Sequence, residues 1–380
     1  MNGQLGAVAE SRDGLLALVL LGAASVKDTF ETGQPYLIYG PSSLADLGVT
    51  ESNNARLVEL VSEFYTSAPD GTPLYIVGHS GTMTEFCDKD NGSLVKLVEL
   101  LKGDVRGIVI AGTATDEATE GIADDVLDAV PVAQLAAEHC ADALYAPVFV
   151  ILEGRSFKSA ADLPDMTEYN YNRVAVLVGD TKKDSKDAAV GLLAGRIASA
   201  PIQRNIAAVI DGTIAVTNMY LGGNLIDESM DAVRTIHDKG YLVPRIHMGR
   251  AGYYYADDTM CCKKTDDYAH LTARRTIDKA ARIAYDTLID FLQAEVEVND
   301  NGTLQVPVVK SWQAEVESAI DTQMTASGEL SAVGGSGCRC LIDATQDVRA
   351  TGQVMVSLSV RPFGYARDIV CKLGILANNV

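Results

Sequence analysis

The run Leu15-Leu-Ala-Leu-Val-Leu-Leu-Gly-Ala-Ala24 decides the fold class. It is continuously apolar, which is the pattern of a strand covered on both faces. It is too short to cross a bilayer as a helix. A signal peptide has a similar apolar core, but the residues before this one include Glu10, Arg12 and Asp13 and lack a positive n-region. The same texture recurs at 36–39, 74–77, 107–110, 146–152 and 174–178. Helical patterns separate these runs. Residues 54–65 place Leu57, Leu60, Val61 and Phe64 on one face, and 94–101, 122–140 and 185–199 follow, the third broken near Pro131. Buried strands alternating with helices predict an α/β lobe with a mostly parallel sheet.

The second half reads differently. A helix is expected over 227–239, a strand over 241–247, and a polar aromatic loop over 249–258. A long helix over 271–294 turns Ile277, Ala281, Ala284, Leu288 and Leu292 towards a core, leaving Arg274, Arg275, Lys279 and Arg282 as a basic stretch. A helix over 308–324 carries Glu315, Glu317 and Asp321. After the turn 334–337 comes a strand at 338–342, then Gln353-Val-Met-Val-Ser-Leu-Ser-Val-Arg361. There Val354, Val356, Leu358 and Val360 share one face, the period of a half-buried strand. Pro362, Phe363 and Gly364 interrupt it as a hinge. Beyond them Asp368, Ile369, Val370, Cys371, Lys372, Leu373, Gly374 and Ile375 form a last strand-like segment. It can pair with its own sheet or with a neighbour's open edge.

Bulk properties narrow the function. A chain of 380 residues is long enough for two lobes. A net charge of −20 argues against nucleic acid, which needs clustered Lys and Arg. The seven cysteines lack the pair-of-pairs spacing of a zinc site and read as free thiols of a reducing compartment. No run besides 15–24 approaches a membrane-spanning length.

Catalytic readings fail one after another. Gly78-His-Ser80-Gly would be a nucleophile elbow only with Gly at 82, and Thr stands there. His237, His247 and His270 have no distinctive context. His247 with the adjacent Cys261 and Cys262 is a poor tetrahedral set. The Asp257-Asp258 and Asp266-Asp267 pairs lack the alternate-position ligands of a calcium loop, and helix capping and loop solvation account for them. Gly112-Thr-Ala-Thr115 has neither the dinucleotide fingerprint nor the P-loop Lys. Thr181-Lys-Lys183 can meet an anion but reads as a solvated loop. No metal, cofactor or catalytic residue is assigned.

The order of segments resembles contractile tail sheath proteins of phages and phage-derived injection systems, in a Bacteroidetes-type branch. The resemblance rests on 231–243, on the loop 249–258, on Asp267-Tyr-Ala-His-Leu-Thr-Ala-Arg-Arg-Thr-Ile-Asp278, on the acidic helix and on the paired C-terminal strands. The first half matches more loosely, through 35–48 and 73–77. It implies a two-lobed α/β fold: a sheath-type core domain with an inserted, outward-facing α/β domain and a C-terminal strand-exchange arm. The expected boundaries are 1–25 joining the core sheet, 26–200 the outer domain, 201–361 the inner core, and 362–380 the arm. The family's N-terminal arm has only about a dozen residues to draw on before Leu15.

The implied role is structural. Subunits would polymerise as a six-start helix around an inner tube, meet a baseplate and a tail terminator, and contract without cofactor, nucleic acid or membrane. Assembly would take place in a bacterial cytoplasm, as part of a phage tail virion or an injection-system particle. The resemblance points to Glu315, Glu317 and Asp321 as tube-facing, with Arg274 and Arg275 as the second choice. The rival reading is an α/β hydrolase using Ser80.

Overall fold

Leu16–Leu21 (β1) is buried at every position and lies inside a six-stranded sheet. The computed structural model describes residues 12–113, 118–333, 335–367, 369 and 371. In chain order the sheet lobe continues with Pro35–Ile38 (β2), Glu51–Ser67 (α1), Leu74–His79 (β3), Leu94–Leu100 (α2) and Gly107–Gly112 (β4). Asp124–Asp142 (α3), Phe149–Glu153 (β5), Val174–Leu177 (β6) and Val190–Ser199 (α4) complete it. The strand order is β2-β3-β1-β4-β5-β6. All neighbours run parallel except β2, which pairs antiparallel with β3 at the edge. The register sets Leu16 opposite both Leu74 and Gly107.

This placement corrects one expected boundary. Residues 16–21 do not join a separate core sheet but pair on both sides with strands of the α/β lobe. A six-residue apolar run is stable only where helices cover both faces and strands flank both edges, and this sheet supplies all four.

Helix α1 buries Leu57, Leu60, Val61 and Phe64 completely, as their spacing predicts. It lies against α4 through two glycines one turn apart. A Cβ on Gly191 would stand 2.4 Å from the Leu60 carbonyl oxygen, and one on Gly195 would stand 2.2 Å from that of Phe64. Helix α3 runs unbroken through Pro131, contrary to the expected break. The missing N–H costs about 3 kcal/mol, and burial of Val126, Ala129, Val130, Ala133, Ala136 and Ala137 offsets it.

Several buried charges knit this lobe together. Glu153, fully buried, accepts from Gly112 N at 2.8 Å and Ala188 N at 3.0 Å, and pairs with Arg56. Arg155 lies over Gly112, where an added Cβ would come within 2.7 Å of its Nη1. The crevice beyond the strand ends, where an open parallel sheet binds a nucleotide, is therefore filled at Gly112 by the chain's own side chains. Residues 114 and 115 of the Gly-Thr-Ala-Thr stretch lie outside the described residues. Burial raises the Glu63 carboxyl from its ordinary 4.5 to about 8.

A second, smaller core follows. Leu271–Ile289 (α5) and Val306–Ile320 (α6) pack with the antiparallel pair Cys338–Ile342 (β7) and Val356–Val360 (β8). Ala280, Ile283 and Ala284 of α5 meet Val309, Val316 and Ile320 of α6 and Cys340 and Ile342 of β7 in this core. The face differs from the expected one: Ala281 and Leu292 are exposed and Ile277 is half-buried. The expected strand over 241–247 shrinks to Pro244–Arg245, with Leu242 bridging in parallel to Leu177 at the sheet edge.

Two outcomes test this packing. Gly195→Leu should lower stability by about 1–3 kcal/mol or more through overpacking against α1, read as the shift of a urea midpoint; an unchanged midpoint contradicts the close approach. The raised Glu63 carboxyl contributes stability that is complete below 4.5 and is lost as pH rises through about 8. Glu63→Gln should therefore gain on the wild type steadily between those limits, and parallel pH profiles would contradict the burial.

Candidate assembly site at the lobe junction

The start of α5 is where both lobes and the C-terminal segment meet. His270 occupies the N-cap position without a side-chain cap of its own. Asp258 serves instead, from an upstream loop. Its Oδ2 accepts from Thr272 N at 2.8 Å and from Thr272 Oγ1 at 2.7 Å, and its carbonyl accepts from Leu271 N at 2.8 Å. A carboxylate here also complements the positive end of the helix dipole. Asp258 Oδ1 takes Asn205 Nδ2 at 2.9 Å and lies 3.1 Å from His270 Nδ1.

Burial alone would raise the Asp258 carboxyl. The His270 and Thr272 contacts outweigh it and hold the group well below the usual carboxylate range. Its neighbour moves the other way, raised by burial and then by the Asp258 charge. Asp257 accepts from Asn205 Nδ2 at 2.8 Å through Oδ1 and from Arg367 Nε at 2.9 Å through Oδ2. Arg367 Nη2 lies 3.7 Å from Asp258 Oδ1. Tyr365 donates its hydroxyl to the Gln203 carbonyl at 2.6 Å. Asp257, Asp258 and His270 bring potential metal ligands within 4.8 Å of one another. Their oxygens are already engaged by Asn205, Thr272 and Arg367, so the set is a structural network.

Along the first half of α5 the basic residues form the seam between lobes. Arg274 pairs with Asp278 at 2.7 Å, and Asp278 pairs with Arg173 of the sheet lobe at 3.2 Å. Arg275 donates to the Ala200 carbonyl at 3.0 Å. Lys279 bridges Asp13 at 2.6 Å and Glu329 at 2.7 Å. Arg282 donates to the carbonyls of Val105 and Pro147. Burial pushes the Arg275 guanidinium down to about 10 and that of Arg282 down to about 9.

These contacts correct an expectation. Arg274 and Arg275 are each 5% exposed and turn inward, so neither is presented to a tube. The acidic helix divides. Glu317 accepts from Cys340 N at 2.7 Å, and Asp321 from Thr325 Oγ1 at 2.7 Å and Ser336 Oγ at 2.9 Å. Both are committed to the second lobe. Glu315 is exposed, in a shallow groove with Ser311, Ala314, Ser318, Thr322 and Gln323.

The expected hinge is bracketed by anchors. Pro362, Phe363 and Gly364 are exposed. On one side Arg361 N donates to the Gly337 carbonyl at 2.8 Å and its own carbonyl accepts from Ser331 N at 2.9 Å. On the other side stand Tyr365 and Arg367. Ile369 and Cys371 are exposed, outside any strand. Asp368, Val370, Lys372, Leu373, Gly374 and Ile375 lie outside the described residues.

Ser80 is exposed at the end of β3. Thr82, the residue that spoils the elbow, caps the helix Met83–Cys87 and accepts from Glu85 N at 3.2 Å. His237 faces Asp238 and His270 faces Asp258, while His247 stacks edge-on against Tyr254. Among the described residues no hydrogen bond joins Ser80 to a histidine. All seven cysteines are unpaired, and burial raises the Cys262 thiol to about 12.

A six-stranded α/β lobe, a smaller second core, a helix shared between them, and a two-stranded sheet whose outer edges pair with nothing among the described residues define a fold that comparison places. The chain is similar to the helical sheath of the anti-feeding prophage in its contracted state, with a TM-score of 0.64 and 17% identity over 95% of this chain and 93% of that one. It is similar to the contracted PVC sheath complex of an extracellular contractile injection system, with a TM-score of 0.64 and 15% identity over 94% and 91%. A chain of the six-fold symmetrised anti-feeding prophage baseplate matches with a TM-score of 0.60 and 15% identity over 97% and 94%. The chain thus has the fold of contractile-sheath proteins. It belongs to the DUF2586 family, whose N-terminal domain matches residues 1–259 and whose C-terminal domain matches residues 267–379. The division falls in the loop between Asp258 and α5. No curated protein matches the chain.

Asp258→Ala should cost about 3–5 kcal/mol, as expected when one member of a buried charged network is removed. Chemical denaturation of the full chain reads this, and a loss below about 0.5 kcal/mol, the size of a surface change, would show that Asp258 does not hold the junction.

Proposed function

We propose that this chain is the structural subunit of a contractile sheath, polymerising helically around an inner tube and contracting to drive that tube through a target envelope. The observation that carries the reading is end-to-end likeness to two contracted sheaths, over more than nine-tenths of each chain. The second core supplies a means of joining. β7 and β8 pair only with each other among the described residues, so each leaves an unpaired edge. Exposed edges invite strand addition. We propose that the terminal segment following β8 adds to such an edge on another copy; by sequence, the alternation of Ile369, Cys371, Leu373 and Ile375 suits a half-buried strand.

In this reading residues 26–200, together with β1, form the outward lobe. Residues 206–271 share the hydrophobic core of that sheet and go with it, against the expected boundary at 200; the second core of α5, α6, β7 and β8 forms the inner lobe, and the arm supplies the link. Contraction is then a change between two packings of one rigid subunit, with no cofactor consumed. The free face of α6 around Glu315 is the tube-facing candidate, with Glu317 and Asp321 shaping it from beneath. Exposed ion pairs contribute only about 0–1 kcal/mol each, which suits a surface that must release the tube. Six-start symmetry, a baseplate and a terminator as partners, and assembly in a bacterial cytoplasm belong to the same proposal. Among the described residues no helix is long and apolar enough to cross a membrane.

The test is removal of residues 368–380. The shortened chain should remain folded and soluble and form no rods by negative-stain microscopy, while the full chain forms them. Rods from the shortened chain would end the strand-donation reading. Helical assembly unaffected by Ser80→Ala, with no hydrolase activity, would dispose of the enzymatic alternative.

A further inference from the structure

We propose that Asp257 and Asp258 form a docking site for the guanidinium of Arg367, a latch that fixes the root of the C-terminal arm to the lobe junction. The arm then leaves the subunit beyond Arg367 and not at Pro362–Gly364. The inference rests on the sheath reading only for the meaning of the arm; the latch itself is a property of one chain.

Three observations converge on it. Residues 361–367 are pinned at both ends, by Arg361 on Gly337 and Ser331 and by Tyr365 and Arg367 on the first lobe. Pro362 and Gly364 therefore shape a strap between two anchors, and a hinge there would have nothing free to swing. The acceptor is also incomplete without the arm. Asp257 is only 7% exposed and Asn205 is shared with Asp258, so a buried carboxylate would lose its close cation if Arg367 left. His270 Nδ1 stands 3.8 Å from Asp257 Oδ2, too far for a hydrogen bond. Finally, the guanidinium donates to Asp257 at 2.9 Å, sets its Nη2 at ion-pair range, 3.7 Å, from Asp258, and lies over the Tyr365 ring at 5.2 Å. A planar, multi-donor cation fits that arrangement and a point charge does not.

The mechanical consequence follows from what else Asp258 does. It caps α5, the helix that both cores share. Tension on the arm enters the subunit at that capped end, through Arg367, and passes directly into the seam. The two-stranded β7–β8 sheet is bypassed. In a contracting polymer, rotation of a neighbour would thus turn this subunit as one body.

Hydrogen exchange on the dilute full-length chain tests the latch. Arg367→Ala and Asp257→Asn should each speed exchange of the buried Asp258 amide, which donates to Asp257 Oδ1 at 2.9 Å, by tenfold or more. The double variant should add nothing further, and Arg367→Lys should recover only part of the protection. Arg367 is partly exposed, so its variants keep the fold even if Asp257→Asn does not. Unchanged exchange in Arg367→Ala, or fully additive effects, would overturn the proposal. Rod formation is scored separately. A chain that never assembles but loses protection in Arg367→Ala keeps the latch and loses the sheath reading, whereas rods with unchanged exchange do the reverse.

Discussion

One helix belongs to two cores, and the capping of its first turn is the constraint on which the rest depends. The basic side of α5, from Arg274 to Arg282, is held by charge to the sheet lobe through Asp13, Arg173 and the carbonyls of Val105, Pro147 and Ala200. Its C-terminal half supplies Ala280, Ile283 and Ala284 to the second core. Hydrophobic burial is non-directional, so it could not fix the angle between lobes alone. Buried ion pairs and charge-assisted bonds to carbonyls can, because breaking one strands a charge at a cost of about 3–5 kcal/mol. The seam is stiff for that reason, and Asp258 sets where it begins.

A stiff subunit suits a machine whose energy lies in packing between copies. If the lobes could swing, contraction would dissipate within each chain. On the proposed sheath reading, locked lobes would confine change to contacts between subunits, where exposed groups such as Glu315 would carry little energy each, and to the arms, where main-chain bonding would carry more. On the same reading the unpaired edges of β7 and β8 and the latched arm root would divide the labour. One would accept a neighbour's strand, and the other would pass load to the helix that both lobes share.

Much of this was legible in the sequence, and the residues show why. β1 announced itself by unbroken apolarity, and β8 by strict alternation of Val356, Leu358 and Val360 with polar residues. The α1 face followed from helical spacing. The seam did not. Arg274, Arg275 and Arg282 look like a solvated stripe because local pattern cannot reveal that carbonyls at 105, 147 and 200 converge on them. The pairing of Arg367 with Asp257 joins residues 110 apart, with no periodic signal to find it. Helix capping holds for Asp258 alone; loop solvation fails, because Asp257 and Asp258 are buried and Asp257 pairs with Arg367. Pro131 misled because a local rule against helix was overridden by burial on six neighbouring positions.

The most direct measurement is a side-chain-resolution reconstruction of the assembled full chain in both extended and contracted forms. The account predicts that strands from other copies flank β7 and β8 in each form, while the Asp258–Thr272 and Arg173–Asp278 contacts stay intact between them. A sheet that remains two-stranded in the polymer, or a seam that opens on contraction, would contradict it.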